Sequence, residues 1–434
     1  MTDNKNETRA PSLEEPNDAT PPSSTAARWK LIGPGIVVAV TGVGAGDLVA
    51  TLIAGSRFGY ALLWAAIVGC IVKIALAEGS ARYHLATGST ILEGWRSLGK
   101  WTYWYFGIYI VIWGFVYGGT AMSATALPLA ALFPDVMPFW MWGALSGIAG
   151  AVFVLFNRYS AFETVMKLFI GIMFVVVVGL AILVMPNLGQ ALTGLMPTIP
   201  EGSAIYTLGL IGGVGGTITM ASYGYWVQAK GWRTPAWMGM MRLDNRVAYI
   251  ATGIFVISML IVGAELLYTA QVTLAGGDRG LLDLDEILRE RFGSVVSILF
   301  LVGFAATTFS SILGVWHGVS LLFADFVRQV QGGEQAKGAQ QDLERTPAFR
   351  FYVLWLTFPP MILLTLGRPF GLVIAYGAFG AFFMPFLALT LIWLLNSKRV
   401  PMEWRSGWLS NGLLGIAAAL FVVLCLNELI RLIG

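Results

Sequence analysis

The chemistry of this chain is read first from Asp47. It ends the run Thr41-Gly42-Val43-Gly44-Ala45-Gly46-Asp47, in the middle of the first long apolar segment. Glycine is a weak helix former, and Gly42, Gly44 and Gly46 alternate here, so the helix is expected to open at this point. An opened helix at membrane depth frees carbonyl and N–H groups, which is tolerated only where the backbone faces protein or a water-filled cavity. A carboxylate beside freed carbonyls, including that of Gly44, suits a hard or borderline cation. An intramembrane carboxylate is costly in lipid and marks a functional site by default. Asp47 would also serve as an N-cap for the second half of the helix, and capping is compatible with ligation.

A second glycine cluster, Gly212-Gly213-Val214-Gly215-Gly216, precedes Thr217-Ile218-Thr219-Met220-Ala221-Ser222-Tyr223. The backbone at Thr217 adds oxygen, and the Met220 thioether adds preference for a softer transition metal over Ca²⁺ or Mg²⁺; core packing is the other use of such a methionine. Lys73 lies near the middle of the second apolar segment, and from there it either snorkels or pairs inside the bundle. It is expected to face Asp47 or a bound anion and to serve as a coupling group. Ser222, Tyr223, Tyr376 and His317 are further cavity or coupling candidates, with Tyr225, Trp226 and Gln228 lining an inner vestibule. A lone helical His such as His317 serves either in hydrogen-bonded packing or in proton transfer. Glu78 and Glu93 are read as partners of Arg82 and Arg96, and Glu163 and Lys167 as an i,i+4 pair.

These residues need a membrane-embedded frame. Of 434 residues, 57% are hydrophobic and 12% charged, against about 25% charged in a soluble domain, so the chain is read as an all-α integral membrane protein. Apolar segments of about 20 residues or slightly less or more fall near 33–56, 61–83, 103–132, 139–156, 163–186, 205–227, 247–270, 295–324, 351–367, 370–395 and 408–432, about eleven spans. The ninth is short and carries Pro359-Pro360. With the N-terminus in the cytoplasm, twenty of the 27 Lys and Arg fall on the inner side and six on the outer side, as the positive-inside rule requires. Residues 1–27 read as a disordered cytoplasmic tail, 28–395 as a transporter core and 396–434 as a loop with an additional helix. The 271–293 loop reads as a surface helix and 329–346 as a flexible inner linker. Cys70 and Cys425 lie inside spans and read as reduced packing residues.

The net charge of +3 is too small and too dispersed to argue for nucleic acid. No nucleophile–base pair or nucleotide-binding loop is present; the glycines of Gly42–Asp47 lie within a span and are not a dinucleotide fingerprint. The chain therefore does not read as an enzyme. Glycine-interrupted helices at matching places in two halves point to a secondary transporter with inverted repeats. The halves are placed at about 31–186 and 205–395, and each holds five helices, which inverts their topologies.

Gly33-Pro34-Gly35, then Ala54-Gly55-Ser56-Arg57-Phe58-Gly59-Tyr60-Ala61-Leu62-Leu63-Trp64, then Thr87-Gly88 and Glu93, with Ser310-Ser311, Gly314 and Gly318 further on, resemble the Nramp family (natural resistance-associated macrophage proteins). The resemblance runs over about 31–395. It implies a LeuT-like five-plus-five inverted repeat with broken helices 1 and 6, and inward movement of Mn²⁺ or Fe²⁺, usually with protons. The metal is then substrate and no cofactor is implied; the partners are the transported ion and membrane lipid. The chain is expected to be a monomer in the plasma membrane. The motifs depart from the family pattern. The usual Asp-Pro-Gly-Asn is Gly44-Ala45-Gly46-Asp47 here, and the usual Met-Pro-His is Met220-Ala221-Ser222. Val111 to Ala121 carries none of the acids usual in helix 3, and the amide usual near Tyr376-Gly377 is absent. One carboxylate leaves a divalent ion with excess charge, so the ion either keeps waters, as Mg²⁺ prefers, or the substrate is a small organic solute with Lys73 in its site.

The loss of the helix-3 acids predicts uptake with weak or absent proton coupling. Proteoliposomes loaded with a pH dye should show substrate entry without matching acidification; a one-to-one proton flux would contradict this.

Overall fold

The computed structural model describes residues 20–157, 159–213, 215–271, 280–332 and 343–433. Eleven spans follow in order. Span 1 is Pro34–Gly42, Val43–Leu48 and Val49–Phe58; span 2 is Leu63–Thr87; span 3, Lys100–Leu132; span 4, Phe139–Phe156; span 5, Tyr159–Leu183. Span 6 is Ala204–Gly213, then Ile218–Ser222 and Tyr223–Ala229; span 7, Met238–Gly263, continues into Ala264–Tyr268. Span 8 is Ser294–Gln331; span 9, Pro347–Thr357 and Met361–Leu364; span 10, Pro369–Ala381 and Phe383–Asn396; span 11, Trp408–Ile433. The ninth span is interrupted at Pro359-Pro360, as ring closure and the missing N–H groups dictate. Gly280–Phe292 forms the helix expected in the 271–293 loop.

Three expected boundaries move. Span 7 begins at Met238, ahead of the expected start near 247. Ser24 caps a short helix, Thr25–Leu31, that begins in the stretch read as a disordered tail and runs past it; residues 1–19 lie outside the described ones. Span 8 runs to Gln331, past the expected linker start, because Arg96 holds the Gln329 carbonyl at 2.7 Å and Asp325 gathers the last turns. Residues 333–342 of the linker lie outside the described residues. Cys70 and Cys425 are both free and buried.

The packing pairs elements five apart. Span 1 lies against span 6, span 2 against span 7 and span 3 against span 8. A two-fold relation between two five-span halves produces this pattern, because elements near the axis meet their own counterparts.

The two interrupted spans differ in how they open. Span 1 stays helical but widens to a π-helical turn over Val43–Leu48, where full unwinding was expected. A π turn accommodates the glycines while keeping most backbone groups paired, and such turns recur at functional sites. Span 6 unwinds: Gly215 and Gly216 have φ of 70° and 93°, a region costly for residues with a Cβ. The spans meet backbone to backbone, and a Cβ added at Gly42 would lie 1.8 Å from the Gly216 nitrogen.

Gly42→Ala should therefore separate the two interruptions. Overpacking of a dense core costs about 1–3 kcal/mol, and the neighbour here is backbone, which cannot rotate away. The purified variant should unfold at a clearly lower temperature than the parent, whereas Gly171→Ala, where an added Cβ meets nothing within 4 Å, should not.

Candidate functional site

The crossing of spans 1 and 6 has a continuous polar lining drawn from spans 1, 2, 3, 6, 7, 8 and 10. Unwinding after Gly213 leaves carbonyls without helical partners, and side chains from neighbouring spans take them. Lys73 of span 2, fully buried, donates from Nζ to the Gly212 carbonyl at 2.8 Å and to the Gly216 carbonyl. Tyr249 of span 7 donates to the Gly215 carbonyl at 3.1 Å. The lysine charge sits at the carbonyl end of the first half of span 6, where the helix dipole favours a cation. Lys73 was expected to face Asp47 or a bound anion; its nitrogen is held by backbone oxygen of span 6, and the Asp47 side chain lies outside the described residues.

On the other side, the Ser311 hydroxyl of span 8 donates to the Thr41 carbonyl at 2.5 Å and meets the Tyr117 hydroxyl at 2.6 Å. Gly44 lies against Ser311 and Thr307, so closely that an added Cβ would be 2.2 Å from the Ser311 Cβ. The Thr217 hydroxyl meets the Tyr376 phenol at 3.3 Å. Tyr376 stands edge-on to Tyr117 at 4.9 Å, and Tyr117 stacks on Trp113 at 4.6 Å, so spans 3 and 10 close an aromatic wall beside the crossing. Span 3, expected to contribute nothing acidic, contributes this wall. Met220 is fully buried in the short turn after the unwound segment, and the Thr219 hydroxyl beside it has no hydrogen-bond partner among the described residues. Asp47 lies in the π-helical turn; its side chain falls outside the described residues.

The remaining candidates lie toward the end of the bundle where span 1 begins. The Ser222 hydroxyl donates to the Gly318 carbonyl at 2.9 Å, tying span 6 to span 8. Tyr223 donates to the Asp244 carboxylate at 2.8 Å. The same carboxylate, fully buried on span 7, accepts from the backbone N–H of Gly33 at 2.8 Å and from that of Gly35. Asp244 therefore caps the N-terminus of span 1, satisfying N–H groups that no helical carbonyl reaches. Glu163 lies beside Gly33 and pairs with Lys167 at 2.6 Å and Lys230 at 2.7 Å, linking span 5 to the end of span 6. Sequence reading found the Glu163–Lys167 pair but missed Asp244 and Lys230, whose partners are distant in the chain.

His317 is a packing histidine in its contacts. Trp226 donates from its indole N–H to Nδ1 at 2.9 Å, and an indole only donates, so Nδ1 accepts and Nε2 carries the proton given to Glu344 at 3.0 Å. Phe162 stacks on the ring at 4.5 Å. Accepting from His317 is the main reason the Glu344 carboxyl lies below its usual range. Tyr225 donates to Asp325, which Arg328 also binds at 2.6 Å. Glu93 pairs with Arg328 at 3.4 Å, which corrects the expected Glu93–Arg96 pair; Arg96 is drawn to the Gln329 carbonyl at the end of span 8. Glu78 binds Arg82 at 3.2 Å as expected, and also Arg242 at 3.0 Å. Gln228 and Tyr225 border a narrow cleft with Ser80, His84 and Thr90, so they face span 2.

At the opposite end of the bundle, Glu265 accepts from the Tyr60 phenol at 2.7 Å and from the Asn187 N–H at 3.1 Å. Burial first, then the Glu265 carboxylate, hold the Tyr60 phenol above its usual range.

Asp244→Ala leaves two span-1 N–H groups and the Tyr223 hydroxyl without this acceptor. An unsatisfied buried group costs about 1–3 kcal/mol. The variant should unfold at lower temperature and should label faster with a water-soluble thiol reagent at a cysteine placed by Ser222→Cys. Unchanged labelling would remove Asp244 as the inner tie.

The chain compares with known proteins over most of its length. A "Divalent metal cation transporter MntH" from Chromohalobacter salexigens is 27% identical over 209 residues, 44% of this chain and 46% of that protein. A protein of the same name from Deinococcus radiodurans is 26% identical over 369 residues, 79% of this chain and 80% of that protein. The crystal structure of a variant of an Eremococcus coleocola manganese transporter superposes with a TM-score of 0.75 at 16% identity, covering 94% of this chain and 88% of that one. MhsT in complex with L-phenylalanine superposes with a TM-score of 0.60 at 19% identity, covering 90% and 98%. These likenesses establish the LeuT-like fold of two five-span halves. The family model for natural resistance-associated macrophage protein-like sequences matches residues 35–431, and the chain belongs to the Nramp family.

Proposed function

We propose that the protein is a secondary active transporter that moves a divalent metal cation across the membrane by alternating access, through the crossing of spans 1 and 6. The observation that carries this reading is the crossing itself: a π-helical turn over Val43–Leu48 against an unwound Gly215-Gly216, deep in the bundle, whose carbonyls are met by polar side chains of spans 2, 7 and 8. Irregular backbone at membrane depth is retained where it lines a site. Divalent metal cation transporters are among the relatives, in agreement.

Asp47, Gly44, Thr217 and Met220 are the proposed ion-contacting positions, and the cation is of the Mn, Fe or Mg type. Asp47 supplies charge, Gly44 and Thr217 supply backbone oxygen, and Met220 biases selection toward a softer ion. Tyr376 and Tyr117 shield the site on one side, and Tyr223 with Asp244 ties span 1 on the inner side. Opening inward requires span 1 to leave the Asp244 carboxylate, so that tie biases the equilibrium between states. The N-terminus is proposed to face the cytoplasm, with the repeats at about 31–186 and 205–395.

Calorimetric titration with Mn²⁺, Mg²⁺ and Ca²⁺, joined to uptake into proteoliposomes, tests the reading. Asp47→Ala should abolish saturable binding and uptake while leaving the unfolding temperature near that of the parent. Met220→Leu should narrow the preference for Mn²⁺ over Mg²⁺ several-fold. Uptake retained in Asp47→Ala would remove the proposed site.

A further inference from the structure

We infer that Lys73 is a tethered cation: its ammonium fills a monovalent-cation position built by the carbonyl end of the first half of span 6. The inference rests on the transport reading above for its functional meaning, and on the span-6 geometry for the site. Three observations carry it. The Gly212 and Gly216 carbonyls, from two sides of the unwound turn, converge on one nitrogen. The positive φ values at Gly215 and Gly216 turn the chain so that these oxygens share a point instead of continuing along a helix axis. Lys73 is fully buried near the middle of span 2, too deep for its charge to be reached by water along its own helix.

Convergent carbonyls at the C-terminal end of a half-helix are the arrangement with which discontinuous transmembrane helices coordinate a coupling cation. A free ion there would arrive and leave with each cycle. An ammonium on a covalent stem supplies the same charge at all times. Transport would accordingly need no free monovalent cation, and the net charge of the crossing would be set by Asp47 and Lys73 together. The lysine gives the freed carbonyls a charged donor, and charge-assisted hydrogen bonds are about twice as strong as neutral ones.

The test separates a charge from a plug. Lys73→Ala removes both stem and ammonium, and n-propylammonium restores both, whereas n-propanol restores only the bulk. The purified variant should unfold at lower temperature than the parent. Propylammonium chloride should raise that temperature saturably, as a ligand that binds only the folded state must, while propanol and choline chloride should not, and the parent should not respond. Lys73→Met keeps the stem without the charge, and Na⁺, K⁺ or NH₄⁺ should stabilise it in the same saturable manner. If neither variant survives purification in plain buffer, recovery of monodisperse protein with propylammonium against propanol gives the same reading. Equal effects of propylammonium and propanol, or no effect of any cation on either variant, would overturn the inference.

Uptake is measured in parallel. Mn²⁺ entry should be independent of Na⁺ and K⁺ in the parent and should gain at least a several-fold dependence on one of these cations in Lys73→Met. Absent uptake in the parent would remove the transport reading and leave the tethered cation to be judged on stability alone.

Discussion

A helix unwound inside a membrane has to place every carbonyl it frees, and the rest of this structure follows from that constraint. Leaving such groups unpaired away from water costs several kcal/mol each. Here the unwound turn of span 6 is met by Lys73 from span 2 and Tyr249 from span 7. Those two spans pack on each other, so the donors arrive from one rigid pair. On the span-1 side a π-helical turn needs less rescue, and Ser311 takes the Thr41 carbonyl. The crossing is thus a polar island inside an apolar bundle, held by side chains whose own helices are continuous.

The same economy governs the ends of span 1. Its N-terminus presents N–H groups at Gly33 and Gly35, and Asp244 of span 7 accepts both. Beside Gly33, Glu163 gathers Lys167 and Lys230. At the opposite end, Glu265 of span 7 accepts from Tyr60, just past the other end of span 1. Span 7 therefore holds span 1 at both ends through one carboxylate each. An alternating-access cycle in this fold has two discrete contacts to break, on opposite sides of the membrane, and that is the kind of bistable element a transport cycle requires.

Two departures from the usual family motifs fall on the interrupted spans 1 and 6. A carboxylate sits at the fourth position of the Gly44-Ala45-Gly46-Asp47 run instead of the first, and Ser222 stands where a His is usual. Ser222 is spent on the Gly318 carbonyl, a tie between spans 6 and 8. Glycine at position 44 is sterically needed, since the Ser311 side chain and the Thr307 carbonyl occupy the space that a Cβ would take. A first-position carboxylate would not fit against this span 8. Ser222 and the buried Lys73 are thus both bound to backbone carbonyls, of span 8 and span 6 respectively.

Much of this architecture was legible in the chain. Apolar run length located the eleven spans, because a span must bury about 20 residues in hydrocarbon, and paired glycine clusters marked where spans 1 and 6 are interrupted. Local ion pairs such as Glu163–Lys167 and Glu78–Arg82 followed from helical spacing. Glu93 did not, because Arg328, far along the chain, competes for it beside Asp325. What only the tertiary structure decided is where the isolated buried charges point. Lys73 lies on a helix that sequence describes correctly, whereas Asp244 precedes the expected seventh span and sits in its first turns; both hold backbone groups of other spans, at Gly212, Gly216, Gly33 and Gly35. Every residue carries those backbone groups, so no residue type signals them. They become partners only when the chain opens a helix and packs the opening against the charge.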